Sequence, residues 1–171
     1  MKKAGLIKVA VLLVFFALPL QVSASEIEDP YYTQWASFKI GSSVSMVGRV
    51  DDAAGSANFT QTLTLKEIYK DYLFLEIARS EEKVAPIVKK KRVNRFINNT
   101  DKLEYNGQEE IIVAGKNVTC KVYTLRLMDN AGKEMMAFKY WFNPDIPGAT
   151  KIDAKAGKDQ AVQTALKWER K

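Results

Sequence analysis

Along most of this chain apolar side chains recur at every second position, the period of a strand with one covered face. From Ser42 onward Val44, Met46 and Val50 alternate with Ser43, Ser45 and Arg49, and Asp51 to Ser56 reads as a loop. Asn58 to Ile68 sets Phe59, Leu63 and Leu65 against Asn58, Thr60, Thr62 and Thr64, a threonine ladder that predicts a wet face. Lys70-Asp71 turns the chain, and Tyr72 to Ala78 predicts the partner strand, with Leu73, Leu75 and Ile77 on the core side.

Glu110 to Phe142 predicts three consecutive strands joined at Ala114-Gly115-Lys116-Asn117 and Asp129-Asn130-Ala131-Gly132, both rich in the residues hairpin turns require. The last of them is apolar on both faces. Met136, Phe138, Tyr140 and Phe142 point one way and Met135, Ala137 and Trp141 the other, so this strand is covered on both sides or borders a cavity. Asn143 to Gly148 then predicts a rigid turn and Thr150 to Ala154 a short strand. Ala161 to Trp168 suits a final strand or, by composition, a helix.

Two stretches depart from this period. Asp29-Pro30 has the cap and first-turn residues of a helix, and Tyr31, Trp35 and Phe38 share one helical face, which predicts a short helix plugging the sheet before Gly41. Arg79 to Lys102 is charge-rich and holds Pro86, so it suits an edge strand followed by a loop, or a short helix; Leu103 to Tyr105, ended by Asn106-Gly107, predicts a further strand. The fold class expected is mainly β: one curved antiparallel sheet of eight to ten strands with a short N-terminal helix packed on it.

Residues 1–24 carry Lys2, Lys3 and Lys8, an apolar run from Val9 to Leu20 and Val22-Ser23-Ala24, the three parts of a cleavable secretory signal. The apolar run is shorter than the roughly 20 residues a spanning helix needs. Residues 25–171 are then expected to form a single β domain in the periplasm, with no stable membrane anchor. Three of the 26 basic residues and none of the 20 acidic ones lie in the leader, which leaves a net charge of about +3. That is too little to argue for nucleic acid. The single cysteine, Cys120, sits among Val118 and Val122 and suits a buried thiol; stability must come from packing, because one cysteine closes no internal disulfide.

The chain has no histidine, which removes Ser-His-Asp and Cys-His catalysis and the usual general base. No glycine-rich phosphate loop is present, and acidic neighbours such as Glu109-Glu110 point to opposite faces of a strand. An enzyme is therefore not expected, and neither is a cofactor or a metal.

The segments Trp35 to Val44, Thr62 to Ile68 and Glu110 to Lys121, with Trp141 ahead of Ile146-Pro147-Gly148, come in an order that resembles small exported bacterial β-proteins of the outer-membrane lipoprotein carrier-like half-barrel superfamily. The resemblance implies a half-barrel whose concave face shelters acyl chains or a helix, hence a binder of a hydrophobic ligand or an envelope protein. Phe138, Tyr140 and Trp141 are the side chains expected to line or rim such a cavity. The alternative is an interaction module that docks through an edge strand or through the basic segment Lys89, Lys90, Lys91, Arg92 and Arg95, which serves equally to guard an edge against aggregation. A hydrolase built on carboxylates alone would need two acids converging in one pocket.

Overall fold

The computed structural model describes residues 26–81 and 84–171, the side chains of residues 84 and 85 excepted; the leader expected at residues 1–24 lies outside the described residues. Helix α1 (Pro30–Ala36) precedes nine strands: β1 (Ser43–Asp52), β2 (Gly55–Ile68), β3 (Tyr72–Glu81), β4 (Val84–Asn94), β5 (Lys102–Val113), β6 (Lys116–Met128), β7 (Glu134–Phe142), β8 (Lys151–Ala156) and β9 (Asp159–Glu169). They form one antiparallel sheet in the order β4-β3-β2-β1-β9-β8-β7-β6-β5. Among the described residues no helix is long and apolar enough to cross a membrane.

This order bends the sheet. β4 and β5 are its two edges, eight spacings apart, which is about 38 Å in a flat sheet. Only residues 95–101 join them, and that segment reaches less than about 30 Å even when extended. The side chain of Tyr31 makes the same point. Its ring lies 5.6 Å from that of Tyr140 on β7 and 5.9 Å from the Lys91 ammonium on β4. Those strands would stand about 29 Å apart if flat. The sheet therefore wraps around α1 as an open half-barrel.

Asp29 starts the helix, accepting the Tyr31 N–H at 2.8 Å, with Pro30 in the first turn. Tyr31, Tyr32, Trp35 and Phe38 then face Val44, Leu65, Leu73, Leu75, Val93 and Phe142 in one buried cluster. Two polar contacts pin the helix from either side. Gln34 donates to the carbonyls of Asn143 and Ile146 at 2.7 and 2.8 Å, and the Tyr32 hydroxyl donates to that of Tyr69 at 2.8 Å. Gly148 closes the packing: its backbone is left-handed, and a Cβ there would stand 2.6 Å from the Trp35 ring.

The structure resolves the segments that the alternation left open. Residues 84–94 form an edge strand, where Pro86 is tolerated because one side of the strand has no ladder to feed. Leu103 to Tyr105 and Ile111 to Val113 belong to a single strand, β5: Asn106-Gly107 makes an irregularity between Tyr105 and Gln108, with Gly107 at φ 88, where a turn looked natural. The expected six-residue loop at Asp51 to Ser56 is a tight hairpin, since Asp51 and Asp52 pair with Ser56 and Gly55. Ala161 to Trp168 is strand, held between β1 and β8.

Candidate functional site

Cross-strand register assigns each side chain to the inner or outer face, because directly paired residues share a face. The inner face has two halves. At the α1 end it is filled: Trp35, Leu65, Leu73 and Leu75 are 0% exposed. Further along the same strands the inner positions are Gly48 and Val50 on β1, Ala161 and Gln163 on β9, Ala154 on β8, and Met136 and Phe138 on β7. Apart from the filled end these side chains are only partly buried. Small residues thus make a floor. Along one side rises an apolar wall of Met136, Phe138 and Leu127, paired across β6 and β7.

The other wall is polar. On β3 the inner period that runs Leu73, Leu75, Ile77 continues into Arg79 and Glu81, and on β4 it takes Lys91, Lys89 and Ile87. The Arg79 guanidinium lies 4.1 Å over the Phe59 ring and pairs with Glu81 at 2.8 Å. Phe59 in turn covers Gly48, where a Cβ would meet its ring at 2.5 Å. Gln61 and Gln163 hydrogen-bond across β1 beside this stack. Three inner depressions are defined: about 370 Å³ between α1 and Leu103, Tyr123 and Phe142; about 200 Å³ beneath the 95–101 crossover; and about 120 Å³ among Val50, Met136, Ala154 and Ala161. A broader hollow of about 760 Å³ is lined mostly by outer-face residues, including Val47, Arg49, Thr60 and Val162.

The expected ligand residues separate. Phe138 and Tyr140 are stacked on the inner face, ring centroids 5.7 Å apart, with Tyr140 also stacked on Phe142. Trp141 points outward and is buried with Cys120 and Val122. Its indole N–H donates to Glu109 at 2.7 Å, and the ammoniums of Lys139 and Lys151 each stand 4.7 Å from its ring. The Lys139 hydrogen bond, and after it that of Trp141, holds the Glu109 carboxyl below its ordinary range.

The basic segment divides by the same alternation. Lys89 and Lys91 take inner positions, whereas Lys90 and Arg92 pair with Glu76 and Phe74 on the outer face. There Lys90 stacks on Phe74 and Arg92 on Tyr72, each at 4.0 Å, and Lys90 also binds Glu67. Arg95 lies in the crossover, bound to Glu28 at 2.8 Å. The five cations therefore occupy three environments.

Beneath the crossover the helix start forms a tight group of ionisable side chains. Burial pushes the Asp29 carboxyl up to about 6 against the opposing pull of the Tyr31 N–H and Lys91. Burial likewise pushes the Tyr31 phenol up to about 12 and the Tyr140 phenol well above its usual value. It lowers the Lys91 ammonium, although much of that residue stays exposed. Sequence reasoning singled out neither Asp29 in this role nor Arg79 at all. The signal for Arg79 was present: a cation falls at the core-facing position of an apolar period.

These elements define an antiparallel half-barrel with a helical plug in half of its trough. No protein-family model and no curated protein matches the chain. Among solved structures, MucB in complex with MucA(peri) aligns with a TM-score of 0.50 and 10% identity over 82% of this chain and 54% of its own. The Pseudomonas aeruginosa MucA/MucB complex gives 0.49 and 10% over 82% and 56%. A putative outer membrane lipoprotein-sorting protein domain from Vibrio parahaemolyticus gives 0.48 and 9% over 81% and 89%. This chain spans about half the length of the MucB chains. At such identities the likeness is one of fold, and the half-barrel resemblance read from the sequence holds at that level.

Proposed function

We propose that this protein is an exported binding protein of the bacterial envelope that holds a hydrophobic ligand, a lipid or a lipidated or peptide partner, along the open half of its inner face. One observation supports this most: α1 fills the trough at one end only, and beyond it Met136, Phe138 and Leu127 stand partly exposed beside a floor of Gly48, Ala154 and Ala161. Part-exposed large apolar side chains around small ones leave room that the described residues do not occupy. Phe138 lines this trough, and Tyr140, its ring 5.6 Å from Tyr31 of the plug, closes the trough's inner end. Trp141 acts from the outer face, where it stiffens β7 against β5 and β8.

The test is extraction of lipids from protein purified from its native compartment, followed by mass spectrometry, with thermal melting in the presence of added phospholipid or fatty acid. A co-purifying apolar molecule and a raised melting temperature are expected. Neither result together would overturn the reading. A second reading, docking on an envelope protein, draws on β4 being an edge strand that carries Lys90 and Arg92 outward. Capture of the same partners by wild type and by Lys90→Glu/Arg92→Glu would dispose of it.

A further inference from the structure

We infer that the trough selects its ligand by charge, taking amphiphiles whose acyl chain ends in a carboxylate or phosphate, with Arg79 and Lys89 as the head-group site. This deepens the proposed binding role and rests on it. The inner face is chemically lopsided: the wall of β6 and β7 is apolar, and the facing wall of β3 and β4 brings Arg79, Lys89 and Lys91 to inner positions. Ile77 pairs with Lys89 and Ile87 with Arg79, so Arg79 and Lys89 are diagonal neighbours on one face, about 7–8 Å apart at the backbone.

Glu81 pairs with Arg79, bound to one of its nitrogens at 2.8 Å, and Asp29 faces Lys91 at the helix end of the wall. Lys89 has no ion-pair partner among the described residues. Arg79 is also held in place, its guanidinium carbon 4.1 Å over the centre of the Phe59 ring, while its Nε–H, turned away from solvent, has no acceptor among the described residues. A guanidinium held over an aromatic ring, with one nitrogen on Glu81 and the side chain still partly open to water, presents its exposed N–H groups to a planar or tetrahedral oxyanion. Its side chain is 37% exposed, so a head group arriving from the trough can reach it. One cationic wall facing one apolar wall across small residues matches a molecule with an anionic end and a hydrocarbon end.

The experiment is calorimetric titration of the whole protein with palmitate and hexadecyltrimethylammonium, each below its micelle concentration, and with hexadecanol below its solubility limit. Wild type is expected to bind palmitate roughly tenfold or more tightly than the other two. Arg79→Gln/Lys89→Gln should erase that preference, bringing palmitate affinity down to that of hexadecanol, and Arg79→Lys should retain part of it. Circular dichroism verifies that each variant is folded, and Ala154→Trp, which fills the floor, should weaken all three ligands. Equal binding of the three by wild type, or a palmitate preference that survives the double substitution, would overturn the charge selection and leave the trough as a binding site. Binding of none of them would overturn the proposed function along with it.

Discussion

The same strands build both halves of the inner face, yet the halves differ in what they bury. β3 contributes Leu73 and Leu75 at the helix end and Arg79 and Glu81 beyond it; β7 contributes Phe142 at one end and Phe138 and Met136 at the other; β1 passes from Val44 and Met46 to Gly48. Where α1 packs, side chains are large and shut off from water; where it does not, most are small, polar or partly exposed, with Phe59 under Arg79 and Leu125 opposite Phe138 as the buried exceptions. The difference teaches that the helix sets the boundary between core and trough. Removing a group from the filled half leaves a cavity, whereas changing one in the open half alters a surface that water already touches.

The largest effect expected is at the plug. Trp35→Ala should cost about 3–5 kcal/mol in chemical denaturation, against less than about 2 kcal/mol for Phe138→Ala, because Trp35 is wholly buried and Phe138 is not. Similar losses would erase the distinction between the halves.

Next comes a matched pair on β9. Ala165 is buried opposite Met46, and Ala161 lies on the open floor opposite Val50. Ala165→Phe should destabilise by about 2–3 kcal/mol through overpacking, and Ala161→Phe by less than about 1 kcal/mol. An equal penalty for Ala161→Phe would mean that the floor has no free space above it.

The boundary itself carries a pH signature. Asp29 faces Lys91, Tyr31 and Tyr140, and its carboxyl ionises near 6 in the folded chain against 3.8 when free. The folded state then holds a proton that the unfolded state has released. This contribution to stability is full below about pH 4 and is lost as pH rises through about 6, by about 2 kcal/mol given partial exposure. Asn caps a helix as well as Asp. Asp29→Asn should therefore match wild type near pH 4, exceed it by about that amount at pH 7, and flatten the pH dependence of the melting temperature between them. An unchanged slope would contradict the assignment.

The smallest effect is outside. Lys90→Gln should cost no more than about 1 kcal/mol, since its contacts with Phe74 and Glu67 are solvent-exposed.

Much of the sheet was legible in the sequence because one covered face imposes alternation, and the helix because Asp29-Pro30 and the aromatics Tyr31 and Trp35 mark it, whereas Phe38, expected on the same helical face, packs from just beyond the helix end. The edge strand β4 was not separable from a helix by its charged residues, whose solvated side chains carry no period. The joining of β5 across Asn106-Gly107 was hidden because the same dipeptide serves turns and bulges. Pairing of β1 with β9 is a contact between distant segments that local pattern cannot express. Of the expected site, period two placed Phe138 and Tyr140 on one face and Trp141 on the other; the expectation that Trp141 also lines or rims the cavity set that alternation aside, and the structure turns it outward. That the cations from Lys89 to Arg92 alternate between faces also follows from period two once the segment is known to be strand.

The central claim is that an apolar ligand lies on the open half of the inner face. Methyl-resolved NMR of the labelled protein titrated with palmitate or hexadecanol addresses it most directly. The account predicts shifts at the methyls of Met136, Leu127, Ala154 and Ala161, with Val44, Leu65 and Leu73 unmoved. Shifts centred on the outer-face hollow near Val47 and Val162, or none at saturating ligand, would contradict it.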